Sequence, residues 1–367
     1  MVGLLILGSF IIYKIFIAFH FEYFPNGKSE LYPYNITVQM IKDYGNEIDE
    51  NELEDLKEIY NNKLKEADEF LSENKDFNEV GIYSYEEYLG MFKKSFDNRD
   101  EEFEKVKWDY FDREESDIFL ELGELGYIIG WYEQKEDYYS EDRYEEKYEE
   151  RINEINSNNE EASILPSLVF NNYNTLIVYV GALIIIGITF MLTPIFLKDK
   201  KDKVDHLQYC SKEGRKIFKS KLIAGLISAL LIITIEIIIS LILYKGQKTS
   251  MFFESDITSI LNLTFWFDLT FIQYIIITII SIYIIGIITA FISMFISNKA
   301  NSYIASIGIQ VPTLFAIIGL TTSCLLNNLF VLYIPKYLSL VIYLVLIGIT
   351  VIITMRAIKK EKIIDIY

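Results

Sequence analysis

Ionisable side chains are missing from four long stretches of this 367-residue chain. Residues 162–197, 269–298, 300–335 and 337–355 contain no Asp, Glu, Lys or Arg, and residues 222–244 contain one, Glu236. A helix needs ~20 apolar residues to cross ~30 Å of hydrocarbon, so these runs exclude a water-soluble globule and point to a chain that crosses the bilayer repeatedly. Histidine and cysteine are almost missing too, with two of each. Two histidines, His20 and His206, leave no His-Glu-x-x-His pair, which argues against a zinc metalloprotease. No Gly-x-Ser-x-Gly elbow occurs. Gly27-Lys28-Ser29 resembles the end of a phosphate-binding loop, but Glu22 stands where the first glycine is required, so no ATP hydrolysis is expected of the chain itself. No Asp-x-Asp-x-Asp-Gly loop is present, and the acidic runs read as solvated faces rather than metal sites. Cys210 and Cys324 are expected too far apart to pair, because a disulfide needs its Cα atoms within ~7 Å. The triplets Asn35-Ile36-Thr37 and Asn262-Leu263-Thr264 carry no argument in so Asn-rich a chain.

What is there divides into two unlike parts. Residues 20–173 hold 42 acidic against 16 basic side chains, a balance of −26, and the remainder is +8, which together give the net −18. A segment so acidic is a poor partner for nucleic acid or anionic lipid. The apolar runs suggest six spans, at about 1–19, 174–197, 222–244, 269–296, 303–325 and 337–355. The expected fold class is an all-α membrane protein, with six transmembrane helices and a mostly helical extracytoplasmic domain. The expected divisions are 1–20, 21–173, 174–197, 198–221 and 222–367. The first span is the weakest, being interrupted by Lys14. It lacks a basic leader and a small-residue cleavage site, so it reads as an uncleaved anchor.

Sidedness is expected from the basic residues. Nine of the 24 residues from 198 to 221 are Lys or Arg, and Arg356, Lys359, Lys360 and Lys362 close the chain. Both belong on the cytoplasmic side, which puts the acidic block outside and both termini inside. Asp49-Glu50-Asn51-Glu52 resembles a capping box. After it Leu53, Leu56, Tyr60, Leu64, Ala67 and Leu71 recur at helical spacing. Further helices are expected from Tyr85 past Phe96, from Ile118 to Trp131 as the centre of the domain, and over 138–155. The block of 21–173 is expected to fold and dissolve on its own.

Two ionisable residues fall within spans. Glu236 lies ~22 Å along its helix from Lys221, and Lys14 ~20 Å from the chain start, at 1.5 Å per residue. A carboxylate at mid-membrane is costly unless paired, protonated or hydrated. Two readings stay open. Either Lys14 pairs with Glu236 or Glu236 lines a polar pathway, or else Lys14 snorkels outward while Glu236 is protonated or bonded to a neighbouring hydroxyl.

The loop between the second and third spans carries a resemblance. His206 to Gly225 resembles the corresponding segment of ABC-2 type transporter permeases, in which a short amphipathic stretch is followed by Gly-Arg and a basic residue entering the next span. The matching positions are Leu207, Ser211, Gly214, Arg215, Lys219 and Lys221. The six-span plan and the large insert between spans one and two are similar as well. The resemblance implies that 205–219 is a coupling helix docking on separate ABC ATPase subunits. It implies no cofactor bound by this chain, with ATP and Mg on the partner. It also implies a second copy or a related permease, and a multi-pass place in the plasma membrane. The implied function is the membrane subunit of an exporter, not an enzyme. The alternative is a peptide-sensing or immunity membrane protein without transport of its own. Family members begin with a cytoplasmic amphipathic helix, whereas this sequence starts directly at the apolar run.

Overall fold

The computed structural model describes residues 2–23, 28–97, 100–111, 113, 116–140, 143–202, 204, 214 and 216–363. Among them no strand forms, and strand-like pairing is limited to isolated bridges such as Glu47–Ser163 and Asp256–Thr270.

The chain enters as α1 (Val2–Tyr23) and then builds a helical domain from α2 (Lys28–Tyr44), α3 (Glu50–Glu73), α4 (Lys75–Glu79), α5 (Tyr85–Asp97), α6 (Glu101–Phe111), α7 (Asp117–Glu133), α8 (Lys135–Tyr138) and α9 (Glu149–Asn158). The start of α3 is fixed by the capping box. Asp49 Oδ1 accepts from the Glu52 amide at 2.8 Å, and Glu52 Oε2 accepts from the Asp49 amide at 2.8 Å. Such reciprocal bonds satisfy two amides that the first helical turn leaves without partners. Helix α7 is the axis of the domain, as its apolar sequence suggests. Its Phe119 and Leu122 pack with Leu71, Phe77, Tyr85 and Phe103 in a distal, aromatic core. Its Leu125, Ile128 and Tyr132 pack with Met40, Ile48, Leu56, Ile152 and Ile155 nearer the bundle. The stretch 138–155 is not the single helix its composition suggests. It holds the end of α8, a short 3-10 turn at Glu146–Tyr148 and most of α9.

The bundle follows: α10 (Ser167–Leu192) continuing into α11 (Pro194–Lys201), then α12 (Lys216–Lys245), α13 (Phe271–Lys299), α14 (Tyr303–Leu320) and α15 (Leu338–Ile363). Five helical segments are long and apolar enough to cross a membrane: Ser167–Lys201, Lys216–Lys245, Phe271–Lys299, Tyr303–Leu325 and Leu338–Glu361. These make the chain a membrane-embedded helical protein by length and composition. The apolar run of α1, Gly3–Lys14, is shorter, and α1 packs against α10 and α12. Helices α10 and α13 form the centre of the bundle, each half buried, while α15 has 11% of its apolar window covered and lies at the edge. Small residues permit the close approach. A Cβ on Gly286 of α13 would stand 2.5 Å from Ile233 Cδ1 of α12, and one on Gly181 of α10 would stand 2.6 Å from Leu326 Cδ1. Close packing of backbones is what holds apolar helices together where water does not drive them. Pro312 lies inside α14, and a π-type turn at Thr321–Leu325 ends it, two features that bend or rewind a helix.

Helix α10 begins at Ser167, seven residues before the apolar run that suggests a span at 174. The extra turns bury Val169, Phe170, Asn172 and Tyr173 and lead into the buried Asn174. Asn174 Nδ2 donates to Asn327 Oδ1 at 2.6 Å and Asn328 Oδ1 at 2.7 Å, and Asn174 Oδ1 accepts from Tyr274 Oη at 2.8 Å and the Asn328 amide at 3.1 Å. This network ties α10, α13 and the 326–337 connection at the end of the bundle that faces the helical domain. Buried polar groups that are fully satisfied fix one arrangement.

The two parts are not independent. Ile260 and Leu332, from the connections after α12 and after α14, belong to the same core as Ile152, Ile155 and Ile164. Part of the core of the 21–173 block is thus supplied by loops made some hundred or more residues later. At the opposite end of the bundle lie the basic residues of α11, the start of α12 and the ends of α13 and α15. There Lys200 Nζ donates to the Ala300 carbonyl at 3.1 Å and to that of Asn298, capping α13.

Candidate functional site

The least expected group in the bundle is the carboxylate of Glu236. It sits on α12 with Ile232, Ile233 and Ile237 around it and is 2% exposed. Ser240 Oγ donates to the Glu236 backbone carbonyl at 2.7 Å, so that hydroxyl serves the backbone and not the carboxylate. Glu236 Oε2 is buried with no hydrogen-bond partner. The carboxylate lies against Gly8 of α1, where an added Cβ would collide with it. The two helices pass this closely because residue 8 has no side chain. Beside the carboxylate is a cavity of about 110 Å³ between α1, α10 and α12, walled by Leu4, Leu7, Ile11, Leu183, Ile186 and Phe190.

Lys14 does not meet Glu236. It is exposed, and its Nζ lies 5.5 Å from the centre of the Phe10 ring. Six residues separate it from Gly8, ~9 Å along the helix. Depth alone suggests the pair, but depth does not fix the rotation of α1.

Of the six positions matched to a coupling segment, Leu207, Ser211 and Arg215 lie outside the described residues. Gly214 is buried and Lys219 is exposed. Lys221 is engaged within the bundle. It forms an ion pair with Asp199, donates to the Ile195 carbonyl at 3.0 Å and lies 5.3 Å from the Phe196 ring centre. It thus joins α11 to α12.

A second polar cluster forms the seam between domain and bundle. Arg151 is 3% exposed. Its Nη1 donates to Glu160 Oε1 at 2.7 Å, its Nη2 to Glu160 Oε2, and its Nε to the Phe265 carbonyl at 2.7 Å. A planar fork matched to a carboxylate is the geometry in which Arg binds best. Nothing in the charge pattern marks Arg151, one of many ionisable residues in its segment. Its single signal is its place next to Ile152 on an otherwise apolar face.

Asp256 lies beside this seam, and Ser163 Oγ donates to its backbone carbonyl at 3.2 Å. Burial pushes its carboxyl up to about 7, helped by Asp268, Glu160 and Glu47 and opposed by Arg151. The folded value is above that of the unfolded chain. The proton therefore stabilises the fold in full below pH ~4, and this contribution is lost as pH rises through about 7. We expect Asp256→Asn to flatten the fall in Tm of the purified full chain between pH 5 and 8. Equal slopes for variant and wild type would contradict this.

In the domain itself a groove of about 230 Å³ runs between α2, α3 and α7, floored by Ile36, Met40, Leu56, Ile59 and Leu125. The Lys63–Glu121 ion pair stands beside it. Among the described residues no cluster of His, Cys, Asp and Glu is arranged to hold a metal ion.

In comparisons with known proteins, no family model, no curated protein and no solved structure matches the chain. The class that the fold defines is a membrane-embedded helical protein with a large helical domain at one end of its bundle.

Proposed function

We propose that this chain is the membrane subunit of an exporter of the ABC-2 type, driven by ATP hydrolysed with Mg on separate ATPase subunits. In this reading α1 is a sixth span, the helical domain is extracytoplasmic and the chain lies in the plasma membrane with both termini inside. Two copies, or one copy with a related permease, form the path. The observation that supports it most is the placement of charge. The described basic residues Lys198, Lys200, Lys201, Lys216, Lys219 and Lys221, with Arg356, Lys359 and Lys360, lie at the end of the bundle opposite the acidic domain, the distribution that basic residues follow in the cytoplasm. The segment 205–219 would dock on the ATPase, with Leu207, Ser211, Arg215 and Lys219 presented to it, Gly214 permitting a close approach or local bend, and Lys221 holding its exit against α11.

The test is recovery of the ATPase. Arg215→Glu is expected to release the ATPase from the purified complex or to uncouple ATP hydrolysis from transport, while orientation survives on the other eight basic residues of the loop. Undiminished ATPase recovery with normal transport would defeat the coupling reading.

One observation favours a second reading, a sensing or immunity protein. The groove between α2, α3 and α7 lies within the helical domain, and a ligand held there would not need a path. A chain that purifies with no ATPase and binds a ligand in that groove would replace the exporter by the sensor.

A further inference from the structure

We infer that the cavity beside Glu236 is a binding site for a lipophilic primary ammonium, which enters sideways from the bilayer and places its charged end on the carboxylate. The inference does not depend on the exporter reading. It starts from an imbalance. A carboxylate in hydrocarbon needs a counter-charge or a proton, and Oε2 of Glu236 is 2% exposed as a residue and has no partner within the chain. The lysine of α1 is turned away, over Phe10.

The cavity supplies the rest. Its volume of about 110 Å³ exceeds several times the ~30 Å³ share of one water, enough for an ammonium and the first methylenes behind it. Glu236 is the single ionisable residue lining it, and the other lining residues are Leu, Ile, Phe and Gly. Such a wall rejects a hydrated ion, which would find nothing to replace its water shell, and suits an alkyl chain. The way in is also built. Leu7 on α1 and Phe190 on α10, both lining residues, are 53% and 63% exposed on the outer surface of the apolar bundle, so the cavity is flanked by side chains that face lipid and not the helix interfaces. Gly8 and Gly187 leave the space beside the carboxylate open. A Cβ at 187 would meet nothing nearer than Ile232 Cγ2 at 3.9 Å, whereas one at 8 would occupy the position of the carboxylate. The arrangement fits an amine of stretched, single-chain form, with nitrogen inward and tail toward lipid.

The experiment uses the full chain in detergent micelles. Dicyclohexylcarbodiimide, an apolar reagent for carboxyls in apolar surroundings, is added with decylamine, with decan-1-ol or alone, and the loss of the unmodified peptide containing Glu236 is followed by mass spectrometry, so that the N-acylurea and any decylamide formed with release of dicyclohexylurea both count as modification. The expected result is that Glu236 is modified and that decylamine near ten times its Kd slows the modification about tenfold by mass action, while decan-1-ol at equal concentration does not. Decylamine is also expected to raise the Tm of the wild type but not of Glu236→Gln. Where that variant fails to fold, the labelling of wild type decides alone. Equal slowing by amine and alcohol, slowing by neither, or no modification of Glu236 would overturn the inference, leaving a carboxyl neutralised by a proton and no amine site.

Discussion

Arg151→Ala is expected to destabilise the chain by about 3–5 kcal/mol, the range found when one partner of a buried ion pair is removed. The cost is large because the variant keeps the burden and loses the remedy. Glu160, 1% exposed, would remain inside the seam with no counter-charge, and the Phe265 carbonyl would lose its donor. The pair Arg151→Met with Glu160→Leu should recover most of that loss, since apolar residues of similar volume replace a buried pair at little net cost. Denaturant unfolding of the full chain, read by near-ultraviolet circular dichroism, measures both. An Arg151→Ala variant within about 1 kcal/mol of wild type would place the pair among surface bridges, which contribute that little. The effect should also be spatially selective. Protease cleavage should increase first around 159–165, where α9 hands over to α10, while the distal aromatic core of Phe77, Tyr85 and Phe119 keeps its protection.

Glu236→Leu is expected to act in the opposite sense and stabilise the chain, by about 1–3 kcal/mol, the desolvation cost of a buried group left without a hydrogen bond. Leucine fills part of the cavity with apolar atoms and leaves no orphaned oxygen. A rise in Tm, at equal protein and detergent concentration, is the measurement. A fall in Tm would mean that the carboxylate has a structural partner which the leucine removes. A stabilising loss of a polar residue is the pattern of a group kept for what it does rather than for what it holds together.

The sequence was a good guide wherever one residue type decides the local physics. Asp49 and Glu52 sit at capping-box spacing and make both bonds. The charge-free runs correspond to the long apolar helices, and the apolar stretch from Ile118 is the domain axis. It was a poor guide wherever partners come from far along the chain. Asn174 looks like a polar boundary of the span, and only the network to residues 327 and 328 explains how it is buried within a helix. Nothing local announced α2 or α6. The depth of Glu236 was readable from counting, but its neighbour was not, because whether Gly8 or Lys14 faces α12 depends on the rotation of α1. Residues Leu207, Ser211 and Arg215 carry the resemblance and nothing in the structure bears on them.

The shared core between domain and bundle also dictates an order of events during synthesis. Chains emerge from the ribosome N-terminus first, and domains generally fold in that order. Here the helices of 28–158 are complete long before Ile260, the Phe265 carbonyl and Leu332 exist, yet the core around Ile152 and Ile155 and the clasp on Arg151 need all three. The domain must therefore wait, with its inner face uncovered, until α12 has been inserted and then until α14 has returned. Its final closure is a report that the later helices have been threaded correctly. A chain truncated before residue 332 would carry an unfinished domain with Ile155 and Tyr132 more open to proteases.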